Sequence, residues 1–194
     1  MQRSQYGWFD VGSAKDRRLS VEQRHWIWDQ TSLTDKLRVL AHGDFEVQVL
    51  SERRTLPRQD EQVFISSTCR RGVKRRAIAW VREVYLICQG RPWVYARSVL
   101  PLGQKGALTR QIFQLKSRPL GEFLFSHPDI YRSSVQGGEW RWPLPSKVPD
   151  EFANKLIARR SLFNIQEHPL LVQEVFLPYS PVYQHSTPQQ SQNI

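Results

Sequence analysis

The sequence contains few cysteines and no long apolar run. Cys69 and Cys88 are the only cysteines among its 194 residues, too few for a disulfide framework or for a zinc site built from cysteine pairs. No stretch approaches the roughly 18 apolar residues of a membrane-spanning helix, and the start, MQRSQYGWFDVG, lacks the apolar core of a secretory signal. We therefore expect a cytoplasmic protein with reduced thiols and no integral membrane segment.

Metal-binding and triad patterns are also missing. The five histidines are scattered along the chain without the spacing of metal ligands. Their order supports no Ser-His-Asp arrangement either. The residues therefore predict no metal site and no serine-hydrolase chemistry.

Acidic residues are fewer than basic residues. The chain has 28 Lys and Arg against 18 Asp and Glu, a formal net charge of +10. This excess favours an anionic partner, and nucleic acid, acidic lipid and small metabolites all fit it. The cluster CRRGVKRR, which ends at Arg76, is basic enough to contact nucleic acid. It is also typical of a solvated loop, and because no DNA- or RNA-binding motif accompanies it we predict no nucleic-acid partner.

Periodicity, capping residues and turn residues predict helices and strands over most of the chain. Ser20 and Gln23 form a capping box for a first helix, and Ser32 caps a second helix that ends before Gly43. Further helices are predicted at 106–116 and 119–125, and strands at 45–50, twice within 81–101, at 160–166 and at 170–177. Loop or hairpin is predicted at 52–76, and a turn-rich surface excursion at 126–150.

The predicted strands follow one another through hairpins instead of alternating with helices. This order favours the α+β class, with a single antiparallel β-sheet flanked by helices on one face. We expect a partly ordered N-terminal segment at 1–19, one domain at 20–184, and a polar, disordered tail at 185–194.

Charged residues interrupt the apolar faces of the predicted strands. Arg82 shares a face with Trp80 and Val84, and Glu174 alternates with apolar neighbours in the same way. If Gly90 and Arg91 form a two-residue hairpin loop, Val84 opposes Arg97, and both arginines point to one face.

A buried charge costs several kcal/mol unless a partner or ligand satisfies it. One interpretation is that Arg82, Arg97 and Glu174 pair with one another or with Glu83. The other is an anionic ligand. Guanidinium groups suit a carboxylate and a glutamate suits a hydroxyl, so the ligand would be a small carboxylic acid that carries an OH group.

Four motifs, in this order, resemble those of the chorismate pyruvate-lyase family. They are VREVYLICQGRPWVYARSVLP at 81–101, PLGEFLF at 119–125, ARRSLF at 158–163 and PLLVQEVFLP at 169–178. The resemblance runs from about Gln23 to Tyr183. It implies an antiparallel sheet with a ligand site enclosed under helical flaps. It also implies a lyase without cofactor or metal that converts chorismate to 4-hydroxybenzoate and pyruvate, the first committed step towards ubiquinone.

The resemblance also implies roles for single residues. Arg82 would hold the ring carboxylate, and Glu174 would meet the hydroxyl of the product and lie near the ether oxygen of the substrate. The backbone at Leu120 and Leu33 would complete the carboxylate site. Arg97 would reach the enolpyruvyl carboxylate, provided that the hairpin register above is right. Arg82 and Glu174 are thus the predicted catalytic residues, and all five are predicted to bind substrate.

The chain departs from the family in its basic loop at 70–76 and its Pro-rich segment at 137–157. Because of these departures, the resemblance does not predict the flaps or the path of substrate entry. We expect a monomer with chorismate as substrate. We also expect 4-hydroxybenzoate to inhibit, because an enclosed pocket releases its product slowly.

A non-catalytic module of the same fold, of the kind that senses small carboxylates in bacterial transcription regulators, is the competing interpretation. Such regulators carry a DNA-reading domain. Only about twenty residues precede the first predicted helix here. The enzyme is therefore the favoured interpretation.

Overall fold

A computed structural model describes residues 7–68, 77–103, 106–140, 156–166 and 168–183. Its helices are α1 (Val21–Trp28), α2 (Leu33–Leu40), α3 (Gln59–Thr68), α4 (Ala107–Phe113) and α5 (Leu120–Ser126). Its strands are β1 (Phe45–Thr55), β2 (Ala79–Cys88), β3 (Arg91–Pro101), β4 (Ile130–Trp140), β5 (Leu156–Ile165) and β6 (His168–Phe176). They form one antiparallel sheet in the order β1-β2-β3-β6-β5-β4, which confirms the predicted α+β class.

The first two helices begin where their caps predict. The Ser20 hydroxyl accepts a hydrogen bond from the Gln23 amide, and the Gln23 side chain accepts one from the Ser20 amide, both at 3.1 Å. The Ser32 hydroxyl accepts from the Asp35 amide at 3.3 Å. Gly43, at φ 87°, follows α2 in the left-handed conformation that helix ends favour. None of the described helices is long and apolar enough to cross a membrane.

Two segments predicted to lack regular structure form a helix and a strand. Residues 59–68 form α3, which buries Phe64 and Ile65. Residues 130–140 form the edge strand β4, which contains Gly137 and Gly138. A Cβ atom at Gly137 would lie 2.5 Å from the ring of Phe9, and the equivalent atom at Gly138 would lie 2.5 Å from the ring of Trp8.

These glycines therefore serve close packing within a strand, and no turn occurs there. The packing also orders part of the segment predicted at 1–19, since Phe9 and Gly137 exchange two backbone hydrogen bonds of 2.8 and 2.9 Å. The basic cluster at 69–76, most of the Pro-rich segment (141–155) and the tail from 185 lie outside the described residues.

The predicted register of the β2–β3 hairpin is wrong by one residue. Gln89 and Gly90, at φ 51° and 69°, form its turn, so Gly90 takes the second turn position instead of the first. The register also shifts at an irregularity between Leu86 and Ile87, and beyond it Arg82 opposes Ser98 and Arg97 opposes Glu83. A slip of one residue moves a side chain to the other face of the sheet. Arg82 and Arg97 consequently point to opposite faces.

The two faces of the sheet have different coverings. We call the side that carries Arg82 and Glu174 the front face, and the side that carries Glu83 and Arg97 the back face. Helices α1, α2, α4 and α5 cover the front face with apolar side chains that include Trp26, Ile27, Leu33, Leu37, Leu108, Ile112, Phe123 and Leu124. Helix α3, which the sequence did not predict, packs on the back face through Phe64 and Ile65, so the prediction that helices lie on one face is wrong.

Charged groups on the back face satisfy one another. Arg97 donates to Glu83 at 3.0 Å and to Glu61 of α3 at 2.7 Å. Glu83 also accepts from Ser51 and from the Tyr95 hydroxyl, both at 2.6 Å. Burial would raise the pKa of Glu83, but the hydrogen bonds from Ser51 and Tyr95 and the charge of Arg97 lower it to about 2. These contacts attach α3 to the sheet.

We expect Glu83→Gln to lower the free energy of unfolding by about 3 kcal/mol at pH 7, because the buried Arg97 loses a counter-charge. The pKa of Glu83 is depressed in the folded state, so its stabilisation is complete above the usual value of 4.5 and declines as pH falls towards about 2. The difference between variant and wild type should therefore shrink at pH 3. Denaturant unfolding at both pH values measures it, with Glu46→Gln, an exposed residue, as control. A difference that does not change with pH would contradict the assignment.

Helices α2 and α5 pack closely where they cover the front face. A Cβ atom at Gly121 of α5 would lie 2.5 Å from Oγ1 and 3.4 Å from Cβ of Thr34 in α2. Arg38 and Glu122 pair at 2.9 Å on the outer side of the same two helices. The missing side chain of Gly121 therefore sets how closely the helices approach.

Gly121→Ala should destabilise the protein by about 1–3 kcal/mol through this overlap, although alanine favours helix more than glycine does. In a Thr34→Ala background the overlap with Oγ1 is removed, so the same substitution should cost much less. A double-mutant cycle measured by denaturant unfolding tests the contact. Equal costs in both backgrounds would show that the two residues do not limit the approach of the helices.

Candidate active site

A cavity of about 50 Å³ lies between the front face and helices α2 and α5, and it can hold several water molecules. Its wall is largely apolar, with Leu33, Val47, Val84, Leu86, Ala96, Leu120, Leu124, Phe163 and Val172 among the lining residues. The polar side chains that line it are Thr34, Arg82, Ser98, Arg132 and Glu174. A few converging polar groups in an apolar pocket are typical of a small-molecule site.

Arg82 is 2% exposed and only partly satisfied. Its Nη2 atom donates to the backbone carbonyls of Lys116 and Arg118, in the loop between α4 and α5. Its Nε and Nη1 atoms are buried and have no hydrogen-bond partner among the described residues. Burial lowers the pKa of Arg82, while the charge of Glu52 on the neighbouring strand opposes this effect. Two donors of a fixed guanidinium thus remain for an acceptor that enters the cavity.

Glu174 belongs to an ion pair with Arg159, the residue directly opposite it on β5. The Nε atom of Arg159 lies 2.5 Å from Oε2 of Glu174. Arg159 is 1% exposed, and its Nη1 atom also donates to the carbonyls of Trp26 and Asp29 at the end of α1, at 3.2 and 3.0 Å. Glu174 thus accepts from Arg159 and also lines the cavity.

Arg97 does not reach the cavity. It lies on the back face, where its contacts to Glu61 and Glu83 satisfy it. The pairing with Glu83 that the sequence allowed as one interpretation is therefore correct for Arg97. Its predicted contact with an enolpyruvyl carboxylate depended on the wrong hairpin register, and the structure contradicts it. Arg82, in contrast, forms no ion pair with any residue that the structure describes.

Leu33 and Leu120 are the first residues of α2 and α5, and both line the cavity. Amide groups in the first turn of a helix have no acceptor within the helix. The structure thus brings four of the five residues predicted to bind substrate, Arg82, Glu174, Leu33 and Leu120, to the wall of one cavity.

Sequence reasoning missed Arg132 and Arg159. Arg132 lies on β4, in a segment for which the sequence predicts turns, so strand alternation assigns no face to its side chain. Arg159 is the first of two adjacent arginines in β5, and adjacent strand residues point to opposite faces. Alternation should have indicated that one of this pair faces inward. In the structure Arg159 faces the front and contacts Glu174, whereas Arg160 pairs with Asp60 of α3 on the back.

Arg132 extends along the cavity wall beside two aromatic rings. Its guanidinium lies 5.2 Å from the ring centroid of Phe125 and 5.0 Å from that of Phe163. Its Nη1 atom donates to the Asp29 carbonyl at 3.0 Å. Burial, helped by the charge of Arg159, lowers the pKa of Arg132 to about 10. Across the described ranges, no group of three His, Cys, Asp or Glu side chains is placed to hold a metal ion.

The chain is similar to known proteins over nearly its whole length. A family model described as chorismate lyase matches residues 8–187. A relative from Aromatoleum aromaticum, named probable chorismate pyruvate-lyase, is 37% identical over 170 residues, which cover 83% of this chain and 87% of that protein. A relative of the same name from Thiobacillus denitrificans is 37% identical over 179 residues, 90% of each chain.

Solved structures support the fold. PhnF from Mycobacterium smegmatis superposes with a TM-score of 0.51 at 12% identity, over 78% of this chain and 65% of that one. At so low an identity the likeness concerns the fold alone. The family match, in contrast, covers the cavity and its polar residues, and by it the chain belongs to the chorismate lyase family.

Proposed function

We propose that the protein is a chorismate pyruvate-lyase, which converts chorismate to 4-hydroxybenzoate and pyruvate without a cofactor, the first committed step towards ubiquinone. The relatives from A. aromaticum and T. denitrificans carry that name. The observation that carries the proposal is the pair of unsatisfied nitrogen atoms of Arg82 in a largely apolar cavity. A buried cation with free donors is costly unless an anion binds to it.

The residues around the cavity suggest how the ligand lies. Arg82 would bind the ring carboxylate, with the first-turn amides of Leu33 and Leu120 beside it. The ring would contact the apolar wall between the sheet and α5. Glu174 lies on β6, two strands away from Arg82. It would accept a hydrogen bond from the hydroxyl of the product, and it would face the ether oxygen of the substrate.

Orientation would supply most of the catalysis. The reaction breaks one ring C–O bond, removes one ring hydrogen, and transfers the equivalent of a hydrogen to the departing enolpyruvyl group as it becomes pyruvate. Aromatisation drives it, so a site that aligns the C–O bond with the departing hydrogen lowers the barrier. Glu174 would act as a fixed negative charge and acceptor, since its carboxylate is already in an ion pair with Arg159.

All these residues come from one chain, so a monomer would suffice for activity. The scarcity of cysteines, two in the whole chain, favours a cytoplasmic location. A non-catalytic sensing module of the same fold is the second candidate. Such a module would bind a small carboxylate and release no pyruvate.

The decisive test is pyruvate release from chorismate. Wild-type protein should release it, with 4-hydroxybenzoate as a competitive inhibitor. Arg82→Met should lower kcat/KM at least about 100-fold through loss of charge-assisted hydrogen bonds. Its unfolding free energy should nevertheless stay within about 2 kcal/mol of wild type, because removal of an unsatisfied buried charge offsets the loss of the hydrogen bonds to the Lys116 and Arg118 carbonyls. Arg110→Gln, which removes an exposed charge on α4, is the matched control. Ligand binding without pyruvate would identify the sensing module instead.

Glu174→Gln tests the role of the negative charge. Glutamine keeps an acceptor oxygen but leaves Arg159 without its counter-ion, so we expect kcat to fall about 10-fold or more while the protein remains folded. Steady-state kinetics and circular dichroism of the variant measure both quantities. If the variant turns over chorismate as fast as wild type, neither the charge of Glu174 nor a proton from it takes part in the reaction.

A further inference from the structure

The cavity has more positive charge than a single carboxylate would balance. Arg82, Arg132 and Arg159 lie in or behind its wall, and Glu174 is the acidic side chain that lines it. Arg159 and Glu174 neutralise each other, which leaves Arg82 and Arg132 with two uncompensated charges. Because unpaired charges are costly in an apolar interior, this arrangement fits a ligand with two negative charges.

Arg132 is separated from Arg82 by most of the sheet. Strands β3, β6 and β5 lie between β2, which carries Arg82, and β4, which carries Arg132. Neighbouring strands are about 4.8 Å apart, so the two guanidinium groups extend into the cavity from opposite walls. Glu174, on β6, lies on the strand midway between them. A ligand that contacts both arginines must therefore carry its anionic groups at separate ends.

No carboxylate of the described chain pairs with Arg132. The nearby Asp29 side chain is held by Thr31 at 2.8 Å and by Lys36 at 3.1 Å. The Asp29 backbone carbonyl accepts from Nη1 of Arg132 and from Nη1 of Arg159, each at 3.0 Å. Arg132 is thereby fixed close to the Arg159–Glu174 pair. Its Nε atom is buried without a hydrogen-bond partner among the described residues.

We propose that Arg132 binds the second carboxylate of the substrate, on the enolpyruvyl group, and so selects chorismate over 4-hydroxybenzoate. This inference rests on the proposed function. Chorismate carries two carboxylates, one on the ring and one on the enolpyruvyl group, whereas 4-hydroxybenzoate carries one. The contact with Arg132 is made by the substrate and is lost when pyruvate leaves. Arg82 binds the carboxylate that substrate and product share.

The test compares substrate and product in the same variants. Arg132→Gln should lower kcat/KM for chorismate, measured by pyruvate release, about 10- to 100-fold, the range for one charge-assisted hydrogen bond. The inhibition constant of 4-hydroxybenzoate should stay within about 2-fold of wild type. Arg132→Lys keeps the charge and should recover part of the loss. Arg110→Gln controls for the lowered net charge and should change neither quantity.

Arg132 also contacts the Asp29 carbonyl and two aromatic rings, and a purely structural role would weaken substrate and product alike. Parallel losses for chorismate and 4-hydroxybenzoate would therefore overturn the inference, and so would an unchanged kcat/KM. Either result leaves the proposed function intact if wild-type protein releases pyruvate. Wild-type protein that releases no pyruvate from chorismate would instead overturn the proposed function and this inference with it.

Discussion

Arg82 is a guanidinium buried in the front face with two donors that the described chain does not satisfy. Burial of such a group destabilises the folded protein, because no ion pair offsets its desolvation. Its position is nevertheless fixed: β2 anchors one end, and the carbonyls of Lys116 and Arg118 hold the other. The loop that supplies these carbonyls leads directly into α5, whose first residues cover the cavity. One interaction thus fixes the cation and the helix that encloses it.

The same strands that place unsatisfied charges in front place satisfied charges behind. Glu83 and Arg97 alternate with cavity residues along β2 and β3, and they join Glu61 to hold α3 on the back face. Similarly, Arg159 and Arg160 are neighbours in β5 but contact opposite faces. Stability and ligand binding are therefore separated by side-chain alternation within each strand, and not by separate regions of the chain.

Much of this arrangement could be predicted from the sequence. Capping residues located α1 and α2, apolar runs located β2, β3, β5 and β6, and an arginine and a glutamate on apolar faces indicated an anion site. The hairpin register could not be predicted, because it depends on the turn position of Gly90 and on the irregularity between Leu86 and Ile87, and the irregularity is what places Arg97 on the back face. Strand β4 could not be predicted, because two adjacent glycines, Gly137 and Gly138, are typical of a turn. In the structure they make room for Phe9 and Trp8, which are distant in sequence. Long-range packing of this kind leaves no local signal.

Because side chains alternate between faces in the β2–β3 hairpin, its turn should tolerate substitutions better than insertions or deletions. Many substitutions at Gln89 or Gly90 would leave every partner across the two strands in place, provided that the turn still forms. Insertion or deletion of one residue there would instead exchange the two faces of β3, turning Arg97 into the cavity and exposing Glu83 to an apolar neighbour. Homologues are therefore expected to keep the length of this hairpin constant and to vary its turn among residues that tolerate positive φ.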